Sequence, residues 1–491
     1  MSIIAVDLGT TNVKVAVFDE ELRLRATQSH AVCYLRGRNT VEFDAAEYYR
    51  MVAQSISSCR SRAGMDSSSV RQIVITGQAE SLVVLGADGE PSYNGISWLD
   101  MRSTAECCEL RGAFSEDCTY QITGQPSIIP TWPITKILWL RKNEPEVFHC
   151  ASKYLLLKDY ITYRLTGELA GDFSIYNFSH YFDISKKKFW PEILNYCEVR
   201  PDQLPALVEP QTVIGGLTSA ASESLGLART TKVNVGALDH FAGMIGTGNI
   251  EPGTVSETTG TVLSIATMVR KLENTGQRIP LHYGPFVDTY VYLPVCESGG
   301  VSLEWFKERF LAEMDYGQLD AALLTRPRPT DVAFLPYLTG VNAPDFNPDA
   351  SGVFFGLKLT HDKVDLAQAV MEGVAHLLKK NIDLFENAGI RATGIVSTGG
   401  GARSDYWSQV KADITGYTVS IPENEEAALL GAAMIGAISE KYFCTFREAV
   451  DRCVRIKKCF HPSAREHYRM KHDLFELLYS QMLPVFKRTR G

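Results

Sequence analysis

The run Val233-Asn234-Val235-Gly236-Ala237-Leu238-Asp239-His240-Phe241-Ala242-Gly243-Met244 reads as an apolar strand, then one carboxylate, then a helix of small residues. A carboxylate at the carboxyl end of a strand in an α/β sheet stands at the rim where such folds bind ligands. Shortly downstream lies Ser256-Glu257-Thr258-Thr259-Gly260-Thr261, and near the chain start lies Asp7-Leu8-Gly9-Thr10-Thr11. Both are glycine–threonine turns that follow apolar strands, and such turns leave backbone N–H groups free to face phosphate oxygens. An acid flanked by two phosphate cradles points to phosphoryl transfer.

Around these motifs the chain is ordinary. Its 491 residues exceed what one core usually holds, so two or three domains are expected. With 49 basic and 57 acidic residues the net charge is −8, and no long basic run argues for a nucleic-acid partner. The eleven cysteines form no C-x-x-C pair, which suggests reduced thiols and a cytoplasmic address. The first residues read as a strand, not a signal peptide. No apolar run is long enough to span a bilayer, so no membrane partner is expected.

Periodicity organises the rest. Strands are expected at 3–8, 13–18 and 24–30, a helix carrying Tyr48, Val52, Ile56 and Cys59, and strands at 73–76 and 81–85. Helices follow at 135–142 and 158–165, the latter closed by Gly167. After Gly253 the plan begins again, with strands at 254–257 and 262–266, a helix at 366–387, a strand at 394–397 and the loop Thr398-Gly399-Gly400-Gly401. Residues 326–329 and 344–348 read as Pro-rich loops. A last amphipathic helix at 465–482 is expected to stop before Pro484. The expectation is two α/β domains of similar plan, 1–248 and 249–491, with a cleft between them.

Several side chains could carry chemistry. Gly9, Thr10 and Thr11 offer phosphate donors, Lys14 a point charge, and Asp7 a carboxylate suited to hydrated Mg²⁺. A threonine-rich hairpin is the plainer alternative. The Gly399-Gly400-Gly401-Ala402-Arg403-Ser404 loop lets a flat ring or pyrophosphate approach its backbone, or is only a turn; neither G-x-G-x-x-G nor a Walker A loop is present. Asp239 suits a base that accepts the proton of an attacking hydroxyl, and also suits a helix N-cap. Gln78, Glu80, Trp98, Asp100 and Arg102 mix hydrogen-bonding groups with a flat apolar face, as polyols require, although Asp100 and Arg102 could simply pair with each other.

Taken together these pieces resemble the FGGY carbohydrate kinases, a branch of the actin-like ATPase superfamily. Pro133-Ile134-Thr135-Lys136-Ile137-Leu138-Trp139-Leu140-Arg141-Lys142-Asn143 is similar to the family's first signature, with Thr131 as the one departure. Gly352-Val353-Phe354-Phe355-Gly356-Leu357, followed by Asp365-Leu366-Ala367-Gln368-Ala369-Val370-Met371-Glu372, fits the second. The resemblance implies two actin-like (ribonuclease H-like) domains, each a mixed sheet flanked by helices, and an interdomain catalytic cleft. It implies an ATP- and Mg²⁺-dependent kinase of a small sugar or polyol, with Asp239 as base and Asp7 holding water-bound Mg²⁺. Gly9, Thr10, Thr11, Lys14, Thr259, Gly260 and Thr261 would grip phosphates. Gly400, Gly401, Ala402, Ser404 and Asp405 would line the adenosine site, and Gln78, Glu80, Trp98, Asp100, Arg102, Asp239 and His240 the sugar site.

Substrate signals are mixed. Xylulose kinases carry Met-His at Ala79-Glu80 and glycerol kinases carry Arg-Glu, so Glu80 leans to the latter while its arginine is missing. Lys158-Asp159-Tyr160, Thr166-Gly167-Glu168 and Asp172 are more similar to the xylulose kinase type. A ketopentose is therefore the expected substrate, with a sugar acid, a glycerol-like polyol or a deoxyketose as alternatives. A non-kinase actin-like ATPase and a sugar-sensing pseudokinase are the remoter readings. A homodimer is the expected assembly.

Overall fold

Two mixed sheets built to one plan form the frame of the protein, seen here in a computed structural model that describes residues 1–272, 277–326, 329–463 and 465–488. In the first half, Ser2–Leu8, Asn12–Asp19 and Leu24–Ala31 form an antiparallel meander, and Val70–Gly77 lies parallel to the first strand on its other side. Lys232–Asn234 and Val213–Gly216 complete that sheet of six. In the second half, Thr254–Thr259 pairs antiparallel with Leu263–Val269 and parallel with Gly394–Thr398, and Val419–Pro422 continues the sheet. The repeat of meander plus parallel neighbour, expected from the sequence, is thus found in both halves.

Strand alternation explains how the first sheet is covered on both faces. Ile3 and Ala5 join one apolar cluster, whereas Ile4, Val6 and Leu8 join another under the helix Ala45–Arg62. On the first face lie two helices from opposite halves. Asp239–Gly246 runs from the first half, and Ala427–Ser439 crosses it from the second. Glycine makes that crossing possible. A Cβ on Gly431 would sit 1.8 Å from the Ala242 carbonyl oxygen, and one on Gly246 would sit 1.9 Å from that of Ala427. Backbones meet there with no side chain between them, so the halves share one packed seam.

Three details differ from the expectations. The strand before Asp239 ends at Asn234, because Gly236 turns the chain at φ +61° and its N–H bonds to Asn234 Oδ1 at 2.8 Å. Residues 82–85 do not join the main sheet but a smaller one with Val41–Phe43, Gly95–Ile96 and Lys153–Leu156. The last helix, Arg465–Phe486, continues through Pro484. A proline this near a helix end removes a single backbone bond, and Phe486 is buried with its ring 6.3 Å from that of Tyr479, which offsets the loss. Within the Pro-rich segment at 326–329, Pro327 and Arg328 lie outside the described residues.

Candidate active site

Asp239 is the first residue of its helix and is half-buried, with Leu238 at the cap position. Its Oδ1 accepts the His240 N–H at 2.6 Å. The cap expectation is therefore corrected by one residue: Gly236 bends the chain early, so the helix starts on the carboxylate itself. A carboxylate in the first helical turn is stabilised by the free N–H groups there.

Two more acids converge on it. Asp7, at the end of the first strand, has a buried Oδ1 with no hydrogen-bond partner. Burial, reinforced by the facing Asp239, pushes its carboxyl up to about 7 against the pull of Lys14. Glu80 is likewise pushed up to about 7, first by burial and also by Asp239, while Lys136 and Thr131 act in the opposite sense. Its backbone sits at φ +68°, a conformation that residues other than glycine adopt at a cost of ~1–3 kcal/mol and that clusters at functional sites. Two contacts hold it there. Thr131 Oγ1 donates to Glu80 Oε1 at 2.8 Å, and the buried Lys136 ammonium donates to the Glu80 and Ser97 carbonyls at 3.2 and 2.9 Å.

A cavity of about 330 Å³ opens in front of Glu80 and Asp239. Of the residues expected at the sugar site, Gln78, Glu80, Trp98, Asp239 and His240 line it, and so does Thr10 of the first loop. Trp98 Nε1 donates to Thr10 Oγ1 at 2.9 Å, which ties the cavity wall to the loop. Asp100 and Arg102 do not line it. They form a buried two-point ion pair at 2.8 and 2.7 Å, extended by Glu42 at 2.6 Å and stacked over Trp139. Their place is structural, because both charges are already satisfied and shielded from the cavity.

Sequence reasoning missed much of this wall. Gln125, Trp132, Phe178, His282 and Glu297 line it from segments far apart in the chain. His282 stacks on Phe178 at 4.0 Å, and burial pushes its imidazole down to about 3, so it is a neutral hydrogen-bonding group at any physiological pH. No local motif announces these residues; Trp132 alone borders a signature.

A second cavity, of about 520 Å³, lies wholly in the second half. Thr259, Gly260, Thr261, Gly400, Gly401 and Ser404 line it as expected, together with Tyr316, Asp320, Met371 and Trp407, which the sequence did not single out. Ala402 and Asp405 are outside the lining. Ala402 packs against the apolar core, and Asp405 pairs with Lys458 at 2.6 Å. Gly399 holds φ +83°, and a Cβ there would lie 2.7 Å from the Thr259 carbonyl oxygen, so the two loops touch through backbone. Beneath them Lys411, fully buried, reaches both Glu257 oxygens at 3.0 Å and Thr259 Oγ1 at 2.8 Å. Lys14, expected at phosphate, instead lies 2.7 Å from both oxygens of Glu426 in the other half.

Two cavities, one rimmed by Glu80, Asp239 and Glu297 and one lined by glycine loops, are what a two-substrate group transfer needs. Residues 2–246 match the N-terminal domain, and residues 266–440 the C-terminal domain, of the FGGY family of carbohydrate kinases. The chain belongs to that family. It is 28% identical over 484 residues to the xylulose kinase of Bacillus subtilis (strain 168), covering 97% of this chain and 96% of that one. A solved structure of ligand-bound xylulose kinase from Lactobacillus acidophilus matches with a TM-score of 0.92 at 25% identity, covering 99% of each chain. A gluconate kinase structure from the same species gives the same TM-score, identity and coverage. As an FGGY kinase the chain phosphorylates a sugar at the expense of ATP. Among the described residues no group of three or more His, Cys, Asp or Glu side chains could hold a metal ion, and no helix is long and apolar enough to cross a membrane.

Proposed function

We propose that this FGGY kinase phosphorylates a short neutral ketose, a pentulose, with Asp239 as general base. The acceptor hydroxyl bonds to the γ-phosphorus of ATP, the bond from that phosphorus to the bridging oxygen breaks, the hydroxyl proton passes to Asp239, and ADP leaves. Phosphoryl transfer asks the protein mainly for alignment and charge neutralisation. Thr10 and the Thr259–Thr261 loop would face the phosphates, and the cavity between Tyr316 and Trp407 would take the nucleoside. Asp7 fits a hydrated Mg²⁺, since its orphaned Oδ1 is a hard oxygen donor beside a second carboxylate; when bound, the ion would neutralise phosphate charge. All eleven cysteines are free thiols, which supports a reducing, cytoplasmic setting.

The composition of the sugar cavity carries the choice of substrate class. Glu80, Asp239 and Glu297 line it, and among its described lining residues there is neither arginine nor lysine. A sugar acid would set its carboxylate among these carboxyls with no cation to pair it, and an unpaired charge in a partly dry site is costly. Neutral hydroxyls, by contrast, find Gln78, Gln125, His240 and His282 as partners. The test is a coupled ADP-release screen over pentuloses, hexuloses, polyols and aldonates. A pentulose is expected to exceed gluconate in kcat/KM by at least ~10², the factor that an unpaired buried charge readily supplies. Preference for gluconate would refute the neutral-sugar reading.

A further inference from the structure

Lys158 and Asp172 stand out in the sequence yet touch neither cavity, and the structure gives them a task. We infer that Lys158, Asp172, Ser174 and Thr76 form a polar clamp that fixes the backbone bend carrying Asp239, and are positioning residues for the proposed base. The inference rests on the reading of Asp239 as that base.

Backbone groups along the bend are held by side chains at both of its ends. The Lys158 ammonium donates to the Val235 carbonyl and to Asp172 Oδ2. Asp172 Oδ1 accepts from the Ser174 N–H at 2.9 Å and from its hydroxyl, and Ser174 Oγ in turn accepts the Leu238 N–H at 3.1 Å. On the opposite side, Thr76 Oγ1 donates to the Ala237 carbonyl at 2.7 Å. Gly236, turned at φ +61°, has its N–H on Asn234 Oδ1. Lys158, Asp172, Ser174 and Thr76 are all buried, and none reaches solvent or substrate.

A buried ion pair is a poor device for stability alone, because desolvating two charges cancels most of their attraction. Its value lies in direction. Lys158 holds one end of the bend and Asp172 orients the one hydroxyl that holds the other, so a single network fixes both ends of residues 235–238. Asp239 follows immediately, and its carboxylate is aimed by that arrangement. Misplacing a reacting group by about 1 Å can cost as much as 10² in rate without weakening binding.

The experiment is a double-mutant cycle in steady-state kinetics, using ATP and the best acceptor from the sugar screen. Asp239→Asn alone is expected to lower kcat by ~10²–10⁴. Ser174→Ala in the otherwise unchanged enzyme should lower kcat about tenfold while leaving both KM values within about twofold, as expected for a loss of orientation. Placed on Asp239→Asn it should lower kcat less than twofold further, since a residue acting through the base has nothing left to position. An unchanged kcat in Ser174→Ala, or an equal loss in both backgrounds, would overturn the clamp. Wild-type turnover in Asp239→Asn alone would overturn the base itself, a result recognisable without any Ser174 variant. Should Ser174→Ala fail to fold, Thr76→Val enters the same cycle with the same expected outcomes, and Thr76→Ser should restore the lost turnover.

Discussion

Asp7 shows how the candidate site stores instability in one side chain. Its carboxyl is pushed up to about 7 in the folded protein, against 3.8 for an ordinary aspartate, chiefly by burial and then by Asp239. Between those values the unfolded chain is ionised while the folded one keeps its proton, so stability falls as pH rises from about 4 through 7, and the loss is complete above 7. Asp7→Asn removes the penalty. The variant is expected to melt higher than the parent at pH 8, by roughly 2–4 °C for each kcal/mol recovered in domains of this size, and to match it below pH 4. Its turnover should fall sharply at every pH. A lower melting temperature for Asp7→Asn at pH 8 would mean that the carboxylate is stabilised by its surroundings, and the raised titration would be wrong. That Asp7 ends a strand beside a glycine–threonine turn was legible from the sequence; that Asp239 lies near enough to raise its titration was not, since 232 positions separate them in the chain.

At the scale of elements, the crossing of Asp239–Gly246 with Ala427–Ser439 decides where the proposed base can stand. Gly431 meets the Ala242 carbonyl so closely that an added methyl must push the helices apart, because the obstacle is backbone and cannot rotate away. Gly431→Ala is therefore expected to destabilise the protein by ~1–3 kcal/mol, as overpacking does. Gly243, one turn into the same base-bearing helix, would place its Cβ in open space, and Gly243→Ala should stabilise by ~0.5–1 kcal/mol through helix propensity alone. Calorimetry on the two variants separates the cases, and stabilisation by both would show that the seam is loose. The helix after Asp239 was legible as a small-residue run. Its crossing with Ala427–Ser439 was not, because a glycine selected for close approach and one that is merely tolerated look alike in a sequence. The same blindness hid the small sheet through Leu82–Leu85, whose two-residue strands, such as Gly95–Ile96, carry no periodicity. It also hid the wall of His282, Phe178 and Glu297, which only tertiary contact assembles.

For the whole molecule, the two halves are joined by the glycine seam and also by several ion pairs, among them Lys232–Glu440, Arg278–Glu116 and Lys14–Glu426. Lys14 stands on the strand opposite Asp7, and its ammonium lies 2.7 Å from both oxygens of Glu426, the residue that caps the crossing helix. Both side chains remain partly exposed, so the pair is worth at most ~1 kcal/mol. That is too little to lock the halves and enough to compete for Lys14. The ammonium is occupied by Glu426, and a phosphate at the place expected for it would have to displace that carboxylate to gain the charge. The competition makes a signed prediction for the two partners. Glu426→Gln frees Lys14 and should lower KM for ATP about two- to fivefold, the ratio that ~0.5–1 kcal/mol gives. Lys14→Ala removes the charge and should raise KM for ATP, and in that background Glu426→Gln should have no further effect. Raised ionic strength weakens an exposed pair, so the gap between parent and Glu426→Gln should narrow with salt. Equal KM values for ATP in parent and Glu426→Gln at low salt would mean that Lys14, even when freed, adds nothing at phosphate. Its expected role at phosphate would then pass to the hydroxyls and backbone N–H groups of the two threonine loops alone.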